Sequence, residues 1–336
     1  MSTTPMRIAD AHNDLLVELE FRAGEERPFE RYWLDQLWAG GVRIQICPVS
    51  VGLEHLPESA LRLSLEQIAA CLRAAEENPD AVRLVATRQA LDEAEAEDAI
   101  ALVVAMEGCE PLGYRPELVD VFWTLGVRWF GLTWNRRNPF ADGIGESANG
   151  GLSALGRDLV DRIVARGGIV DLAHASPRTF DDVLERTPPG SVVVSHVGCR
   201  ALFDTPRNLT DDQLRALGGH GGLVGIGALP TLTGMVEPSI RDVVEHIEHA
   251  RAVLGPDQVV LGADFYQQVG SSGAVRKPRD SQRPNGVQLD FCIPGLEGPA
   301  GYPTLVEDLR ARGLSGRELD ALLFDNLTSF LRKGLP

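Results

Sequence analysis

Eight short runs of the chain are hydrophobic at nearly every position, and Val and Ile are frequent in them. A strand with one solvent-facing side alternates polar and apolar residues, whereas a strand buried on both faces shows an unbroken apolar run. The runs therefore predict the strands of a parallel sheet that is covered by helices. They lie at 7–11, 42–51, 101–107, 127–133, 167–173, 191–195, 221–227 and 258–264.

Longer segments between these runs place apolar residues at the helical period. Two of the segments begin with a capping residue: Ser176 precedes Pro177 at the first helical position, and Thr210 precedes "DDQL". Eight strands, most of them followed by a helix, predict an α/β fold of the (β/α)₈ TIM-barrel type, with a doubly wound open sheet as the alternative. The clearest helical segments are 59–76, 153–166, 176–186, 210–217 and 238–253.

Two stretches depart from a regular alternation of strands and helices. "VRLVA" (82–86) is a ninth strand candidate, which we place as an extra strand in the second crossover. The stretch 266–301 is rich in Gly and Pro and follows the last strand, so it forms either a lid at the barrel mouth or a surface insertion. Because no repeat or linker divides the chain, residues 1–336 are predicted to form one catalytic domain.

Composition and charge narrow the classes of partner. The 336 residues carry a net charge of −16 and show no basic cluster, which argues against nucleic acid and anionic membrane surfaces. No apolar run reaches the roughly 20 residues of a transmembrane helix, and the first residues do not resemble a secretory signal. The five cysteines never occur as C-x-x-C, so we expect reduced thiols in a cytoplasmic protein rather than disulfides or a zinc knuckle.

Polar residues that can bind metal stand at the ends of the predicted strands, where a barrel of this kind builds its active site. Each alone has an ordinary structural explanation, because a histidine after a strand often only forms a hydrogen bond and an aspartate often caps a turn. Together, imidazoles and carboxylates are the usual ligands of zinc and similar divalent ions. The residues are His12, Asp14, Glu107, His174, His196 and Asp264. Surface roles are expected for the other histidines, in predicted loops or on a charged helix face: His55, His220, His246 and His249.

Two metal ions that lie side by side need an anionic ligand that touches both. A carboxylated lysine serves in some barrels, but neither lysine of this chain ends a predicted strand. Glu107 is therefore the predicted bridge. One ion would take His12, Asp14 and Glu107, and the other would take Glu107, His174 and His196. Two ions about 3.5–4 Å apart can hold a hydroxide and activate it at neutral pH.

Seven motifs follow one another along the chain: "DAHNDLL", "MEGCEPL", "GLTWNRRNPFADG", "VDLAHAS", "SHVGCRALFDTPRNLTDDQL", "LGADF" and "LLFDNLTSFL". In this order they resemble the membrane dipeptidase family, also called renal dipeptidase-like zinc peptidases. The resemblance implies a (β/α)₈ barrel with two zinc ions (Zn²⁺) that hydrolyses dipeptides through attack of a metal-bridging hydroxide. Members of the family typically accept a D-residue at the C-terminal position, and a homodimer is expected from the resemblance.

The resemblance also assigns roles residue by residue. The family's acid/base aspartate falls on Asp264, and its arginine that binds the terminal carboxylate of the substrate falls on Arg207. A guanidinium fork suits a carboxylate better than an ammonium group does. Without the resemblance, Arg207 would be taken for a surface arginine near the start of a helix. The family's metal ligands fall on His12, Asp14, Glu107, His174 and His196.

The chain departs from the animal members of the family after the fourth predicted strand. Those members carry a histidine in a Leu-Thr-His sequence, where it binds the substrate carbonyl or oxyanion, whereas this chain has Trp134. An indole has one N–H donor and cannot carry the charge of an imidazole. Oxyanion assistance is therefore expected from the metal, from Trp134 or from the adjacent Asn135, unless Trp134 is a packing residue of the strand.

These observations predict a cytoplasmic, zinc-dependent dipeptidase of bacterial type. One alternative is a binuclear amidohydrolase that acts on another small amide, such as an N-acyl amino acid. A second alternative is a metal-stabilised barrel that binds a ligand without turnover. Metal-dependent release of amino acids from dipeptides separates the three.

Overall fold

The predicted strands form one parallel sheet that closes on itself. The computed structural model describes residues 6–234, 236–265 and 292–336. The strands are β1 Ile8–Asp10, β2 Val42–Ser50, β3 Val82–Leu84, β4 Ile100–Glu107, β5 Trp129–Gly131, β6 Ile169–Asp171, β7 Val192–Val197, β8 Leu223–Ile226 and β9 Val259–Leu261. All except β3 pair in a ring, in the order β1, β2, β4, β5, β6, β7, β8, β9 and back to β1. This ring is a (β/α)₈ TIM barrel, and it excludes the alternative of an open sheet.

The ninth strand and the strand register both bear on the site. As predicted, β3 is an extra strand, which pairs with the first half of β4 from Val82↔Ile100 to Leu84↔Leu102. The register between β2 and β4 places Ser50 directly beside Glu107, the last residue of each strand. Because parallel strands end at the same rim, side chains that end or follow different strands meet there.

The helices predicted from the apolar period are all present. The Ser176 hydroxyl accepts the Thr179 N–H ahead of the helix that begins at Pro177, and Thr210 forms a capping box with Gln213. No helix in the described ranges is long and apolar enough to cross a membrane. The helices are α1 Leu15–Phe21, α2 Asp35–Ala39, α3 Ala60–Glu77, α4 Arg88–Ala96, α5 Val119–Thr124, α6 Ala154–Ala165, α7 Pro177–Arg186, α8 Asp211–Gly219, α9 Pro230–Thr233, α10 Ile240–Leu254, α11 Tyr302–Ala311, α12 Gly316–Asp320 and α13 Asn326–Gly334.

The loop predicted over 266–301 falls largely outside the described residues, which resume at Cys292. Its assignment as a lid or a surface insertion stays a prediction. The described part continues through Ile293 and Leu296, both buried, into α11. This part of the segment is therefore packed against the barrel.

Two apolar clusters explain why the strand runs lack alternation. Strand residues such as Ile8 and Leu102 pack against the surrounding helices, whereas their neighbours Ala9 and Ala101 belong to a second cluster that fills the barrel. Helix α13 joins this second cluster and closes the barrel at the N-terminal ends of the strands. There the Asn326 amide donates to the carbonyls of Pro256 and Val259 at 2.8 and 2.9 Å.

Strands β7, β8 and β9 approach one another closely at the level just below the rim. A Cβ atom on Gly225 would lie 1.9 Å from the carbonyl oxygen of Ser195, and one on Gly262 would lie 1.8 Å from it. Only glycine fits at either position. The close approach brings together the residues that follow, His196 on β7 and Asp264 after β9.

Candidate metal centre

The structure gathers the predicted ligands at the C-terminal rim of the barrel. His12 and Asp14 follow β1, Glu107 ends β4, His174 follows β6, His196 lies in β7, and Asp264 follows β9. The three imidazoles are buried, and their ring nitrogens converge on the carboxylates. Residues that are far apart in the sequence therefore form one cluster.

Glu107 lies at the centre of this cluster. Its Oε1 atom is 3.0 Å from Nε2 of His174 and 3.6 Å from Nε2 of both His12 and His196. Its other oxygen, Oε2, accepts a hydrogen bond of 2.7 Å from the Ser50 hydroxyl. One carboxylate oxygen thus faces three imidazoles while the second is held by a neutral donor.

Two aspartates complete the cluster on the side of His12. The Nε2 atom of His12 is 3.5 Å from Oδ1 of Asp14 and 3.8 Å from Oδ1 of Asp264. The second oxygen of Asp264 lies 3.8 Å from Nε2 of His196. Asp264 therefore faces two imidazoles on opposite sides of its carboxyl group.

The cluster fits a divalent cation by its donor chemistry. Ligand atoms lie within 4.8 Å of one another in two triplets, His12 with Glu107 and His196, and His12 with Asp14 and Asp264. Nε2 of His12 and Oδ1 of Asp14 are buried without a hydrogen-bond partner among the described residues. Buried polar atoms of this kind are costly unless a ligand satisfies them. Both triplets contain His12, and the first also contains Glu107, the predicted bridge.

The hydrogen bond of His174 also favours a cation. Its Nδ1 atom is 2.8 Å from Oδ1 of Asn135, which can only accept, so Nδ1 carries the hydrogen and Nε2 carries the lone pair. That lone pair faces Nε2 of His196 at 2.8 Å and Oε1 of Glu107 at 3.0 Å. Such a contact is repulsive unless a proton or a metal ion lies between the atoms. An outer hydrogen bond on the other ring nitrogen is typical of metal-ligating histidines.

Burial and neighbouring charges shift the pKa values of Asp264 and Glu107 in opposite directions. Burial raises the pKa of Asp264 to about 7, and the charges of Asp14 and Glu107 raise it as well, against the opposing effect of His12 and Arg207. Glu107 is different: burial opposes its charge, but the imidazoles of His174 and His12 and the Ser50 hydroxyl hold its pKa below the usual value. Glu107 is therefore ionised at neutral pH, whereas the pKa of Asp264 lies near neutrality. Burial and the charge of Glu107 also raise the pKa of Asp14.

The pKa values of two of the imidazoles are also shifted in opposite directions. Burial opposes the charge of His12, but Asp14, Glu107 and Asp264 raise its pKa to about 10. Burial, together with the charge of Arg207, lowers the pKa of His174 to about 4. Only a neutral imidazole binds metal, so a cation at this site would have to displace the proton of His12, whereas His174 is already neutral.

The backbone is strained at two of these residues. His174 has φ 66° and Asp264 has φ 56°, in the left-handed region that residues other than glycine rarely adopt. Such conformations cost about 1–3 kcal/mol each and concentrate at functional sites. Each residue lies three positions after the end of its strand, and its side chain reaches the cluster.

A match to a family model shows which protein family the chain belongs to. The model of the membrane dipeptidases, peptidase family M19, matches residues 3–275. The chain belongs to this family. The family implies a metal cofactor, and the cluster supplies candidate ligands for it.

Known proteins share this sequence pattern and fold. Dipeptidase 3 of Macaca fascicularis is 29% identical over 309 residues, covering 89% of this chain and 58% of that protein, so the chain spans less than two thirds of its length. The solved structure of dipeptidase AC, a metallopeptidase of family M19, is similar with a TM-score of 0.85 at 24% identity, over 99% of both chains. A metallopeptidase of Rhodobacter sphaeroides, solved with a phosphinate mimic of the dipeptide L-Ala-D-Ala, gives a TM-score of 0.82 at 21% identity, over 98% of this chain and 100% of that one. These two structures establish the shared fold.

The residue that resemblance to the family assigns to the substrate carboxylate lies beside the cluster. Nη2 of Arg207 donates to the carbonyl oxygen of His196 at 3.2 Å. Burial lowers the pKa of Arg207 to about 10, against the opposing charges of Asp264, Glu107 and Asp171, so the guanidinium stays cationic at neutral pH. Arg207 is therefore half-buried and lies beside the cluster, next to the backbone of His196.

Trp134, at the position where animal members of the family carry a histidine, stands at the edge of the cluster. Trp134 is half-buried, and its ring centroid lies 5.8 Å from that of His174 at an interplanar angle of 33°. The adjacent Asn135 is buried and bonded to His174 through its oxygen. The structure thus places Trp134 along the wall of the site and Asn135 behind a predicted ligand.

Sequence reasoning missed two residues that orient the predicted ligands. The Ser195 hydroxyl is 2.9 Å from Nδ1 of His196 and 3.3 Å from Nδ1 of His12, so it contacts the outer nitrogen of both rings. Ser50 holds Glu107. Ser50 ends β2 in "CPVSV", and Ser195 directly precedes His196 near the end of β7 in "VVVSHVG". Their position at the rim was the available signal.

The predicted surface role of His246 is wrong. Its side chain is 1% exposed, its Nδ1 atom accepts the Cys199 N–H at 2.8 Å, and its Nε2 is 3.2 Å from the Thr233 carbonyl. His246 lies on the face of α10 that carries the buried Val243 and Ala250, three residues before and four after it. That helical spacing was the signal, but the charged neighbours along α10 obscured it.

Proposed function

We propose that the protein is a metal-dependent dipeptidase that works with two zinc ions. The convergence of three imidazoles and three carboxylates at the barrel mouth, with a cationic arginine beside them, carries this proposal. Membership of the membrane dipeptidase family supports it. Zinc matches the mixed nitrogen and oxygen donor set.

We assign the ligands as two sets that share Glu107. One set is His12, Asp14 and Glu107, and the other is Glu107, His174 and His196. The position of Glu107 among all three imidazoles supports the bridging role. When bound, two such ions would polarise the scissile carbonyl and lower the pKa of a water molecule toward neutrality.

Asp264 is the proposed proton carrier. It lies between His12 and His196, and its pKa is raised to about 7. In the ionised form it takes the proton of the attacking water, and in the protonated form it delivers that proton to the leaving amine. A bound cation would lower its pKa, which favours the ionised form before attack.

Arg207 is proposed to select substrates with a free terminal carboxylate. Its guanidinium is cationic and lies next to the backbone of a predicted ligand, His196. A bidentate pair with a carboxylate would hold a dipeptide by its C-terminal end. The Rhodobacter sphaeroides structure, which contains a mimic of L-Ala-D-Ala, supports a dipeptide with a C-terminal D-residue as the first substrate to test.

Trp134 and Asn135, which follow β5, are the proposed substrate-binding residues at this part of the rim. Trp134 would narrow the pocket beside His174 and present its indole N–H. The Asn135 oxygen is engaged by His174, so any contact that it makes with substrate would use the amide nitrogen as donor. In this arrangement neither residue supplies a proton.

The test is a panel of L,L and L,D dipeptides assayed with metal-free protein, with zinc added back. We expect zinc-dependent release of both amino acids. N-acetylated amino acids carry the same carboxylate but lack the free amine, so preferential cleavage of these would favour the amidohydrolase alternative. Binding of a dipeptide without release would favour the ligand-binding alternative and refute the proposal. A homodimer and a cytoplasmic location are further proposals.

A further inference from the structure

Arg207 lies on a loop and not on a strand. The loop of residues 198–209 connects β7 to α8, and backbone hydrogen bonds join its two ends. The Leu209 N–H donates to the Gly198 carbonyl at 3.2 Å, and the Arg200 N–H donates to the Leu209 carbonyl at 2.8 Å. The Arg207 guanidinium has one hydrogen bond to the described residues, at the His196 carbonyl. Its position therefore depends on what holds the loop.

Asn208, the next residue, holds the loop from inside. Its side chain is 1% exposed, and its Oδ1 accepts the Gly198 N–H at 2.8 Å. Its Nδ2 donates to the carbonyls of Phe203 at 2.9 Å and Leu232 at 2.8 Å, so both of its donors are used. One buried amide thus ties together the strand end, the middle of the loop and helix α9.

A second buried side chain anchors the same loop to the same helix. His246 on α10 accepts the Cys199 N–H and donates through Nε2 to the Thr233 carbonyl of α9. Burial lowers the pKa of His246 to about 4, so it stays neutral and can accept at neutral pH. The loop therefore rests on α9 through Asn208 and through His246.

We infer that Asn208 is the positioning residue for Arg207, and that through Arg207 it sets the preference of the enzyme for substrates with a free terminal carboxylate. The inference rests on the proposed role of Arg207. Asn208 does not touch the substrate. It fixes the peptide from which the guanidinium extends, and a bidentate pair with a carboxylate depends on that direction. Loss of the amide would let the guanidinium move while leaving the metal ligands in place.

The test compares two substrates and two variants. L-Ala-D-Ala carries the carboxylate, and L-Ala-D-Ala amide lacks it. The variants are Asn208→Ala and, as a matched control, Asn326→Ala, which removes another buried asparagine with two hydrogen bonds to carbonyls at the opposite end of the barrel. Arg207→Ala shows the effect of losing the guanidinium itself.

We expect Asn208→Ala to lower kcat/KM for the acid by about 10-fold to 100-fold, chiefly through KM, because small misplacements of a positioning group have effects of this size. Cleavage of the amide should change little, so the acid-to-amide ratio should fall toward that of Arg207→Ala. Asn326→Ala should lower thermal stability and leave the ratio unchanged. An unchanged ratio in Asn208→Ala overturns the inference, and so does a wild-type enzyme that cleaves both substrates equally well.

Hydrogen–deuterium exchange over residues 198–209 gives a measurement that is independent of turnover. Asn208→Ala should increase exchange in this loop, and Asn326→Ala should not. If the wild type cleaves neither substrate, the proposed function fails for this dipeptide, and unchanged exchange in Asn208→Ala would overturn the anchoring role separately. Should Asn208→Ala fail to fold, Asn208→Asp keeps the shape and the acceptor but loses both donors, and it serves in the same comparisons.

Discussion

The hydroxyl of Ser50 offers a direct test of how the metal centre is oriented. It donates to Oε2 of Glu107, a side chain that is 8% exposed, and leaves Oε1 directed at the three imidazoles. Ser50 is itself fixed by Gln67, whose side chain accepts the Ser50 N–H at 2.9 Å and donates to the Ser50 carbonyl at 2.7 Å. Ser50→Ala removes the donor and nothing else from this arrangement.

The size of the effect follows from the charge and burial of Glu107. A hydrogen bond to a charged group contributes about 1.5–3 kcal/mol, and each 1.4 kcal/mol corresponds to about tenfold in a binding constant. Part of this free energy is lost from the stability of the metal-free protein and not from zinc binding, because the buried carboxylate of Glu107 loses its donor there as well. We therefore expect zinc affinity to fall by about 10- to 100-fold, the range found for residues that orient metal ligands.

Zinc affinity would be measured at neutral pH by competition with a chromophoric chelator, alongside thermal unfolding of the metal-free protein. Ser50→Thr keeps the hydroxyl and should stay close to wild type. Ser64→Ala is the matched control, because Ser64 is fully buried in α3 and donates to the Ala60 carbonyl at 2.9 Å, away from the cluster. If Ser50→Ala binds zinc as tightly as wild type, or Ser64→Ala weakens binding equally, the orienting role is refuted.

Three further substitutions test the proposed roles. Glu107→Gln should lower the zinc content of both proposed sites as measured by metal analysis, since Glu107 is the proposed shared ligand. Two tightly bound ions in this variant would disprove bridging. Asp264→Asn should keep its metal, and its kcat should fall by about 10²–10⁴-fold. The rise of kcat with pH that ionisation of Asp264 produces should also disappear. Loss of metal from this variant would instead make Asp264 a ligand. Trp134→His should change the ranking of dipeptide substrates and add a step near pH ~6.5 to the rate profile. A lower melting temperature with unchanged ranking would make Trp134 a packing residue.

The barrel itself could be predicted from the sequence because its strands are buried on both faces. In runs such as 101–107 and 191–195 nearly every consecutive residue is apolar because both faces are buried. The structure has strands there, at Ile100–Glu107 and Val192–Val197. The helix caps at Ser176 and Thr210 are equally local, since each acts on a backbone group three residues away. Local patterns of this kind can be recognised without knowing where the rest of the chain lies.

The grouping of the candidate ligands could also be predicted, for a topological reason. In a parallel barrel every strand ends at the same rim, so His12, Glu107 and His196 can be brought together by chain order alone. The sequence pattern could not supply their mutual distances. The structure supplies them: Oε1 of Glu107 lies 3.0 Å from Nε2 of His174 and 3.6 Å from Nε2 of both His12 and His196.

Only the tertiary structure decided which side chains support that cluster. Ser50 meets Glu107 because β2 and β4 pair in one particular register, and Asn135 meets His174 across 39 residues of sequence. Asn208 and His246 owe their roles to a loop that folds back against α9. Serine, asparagine and histidine are as common on surfaces as in such positions. Their roles depend on partners distant in sequence, and no local pattern encodes those partners.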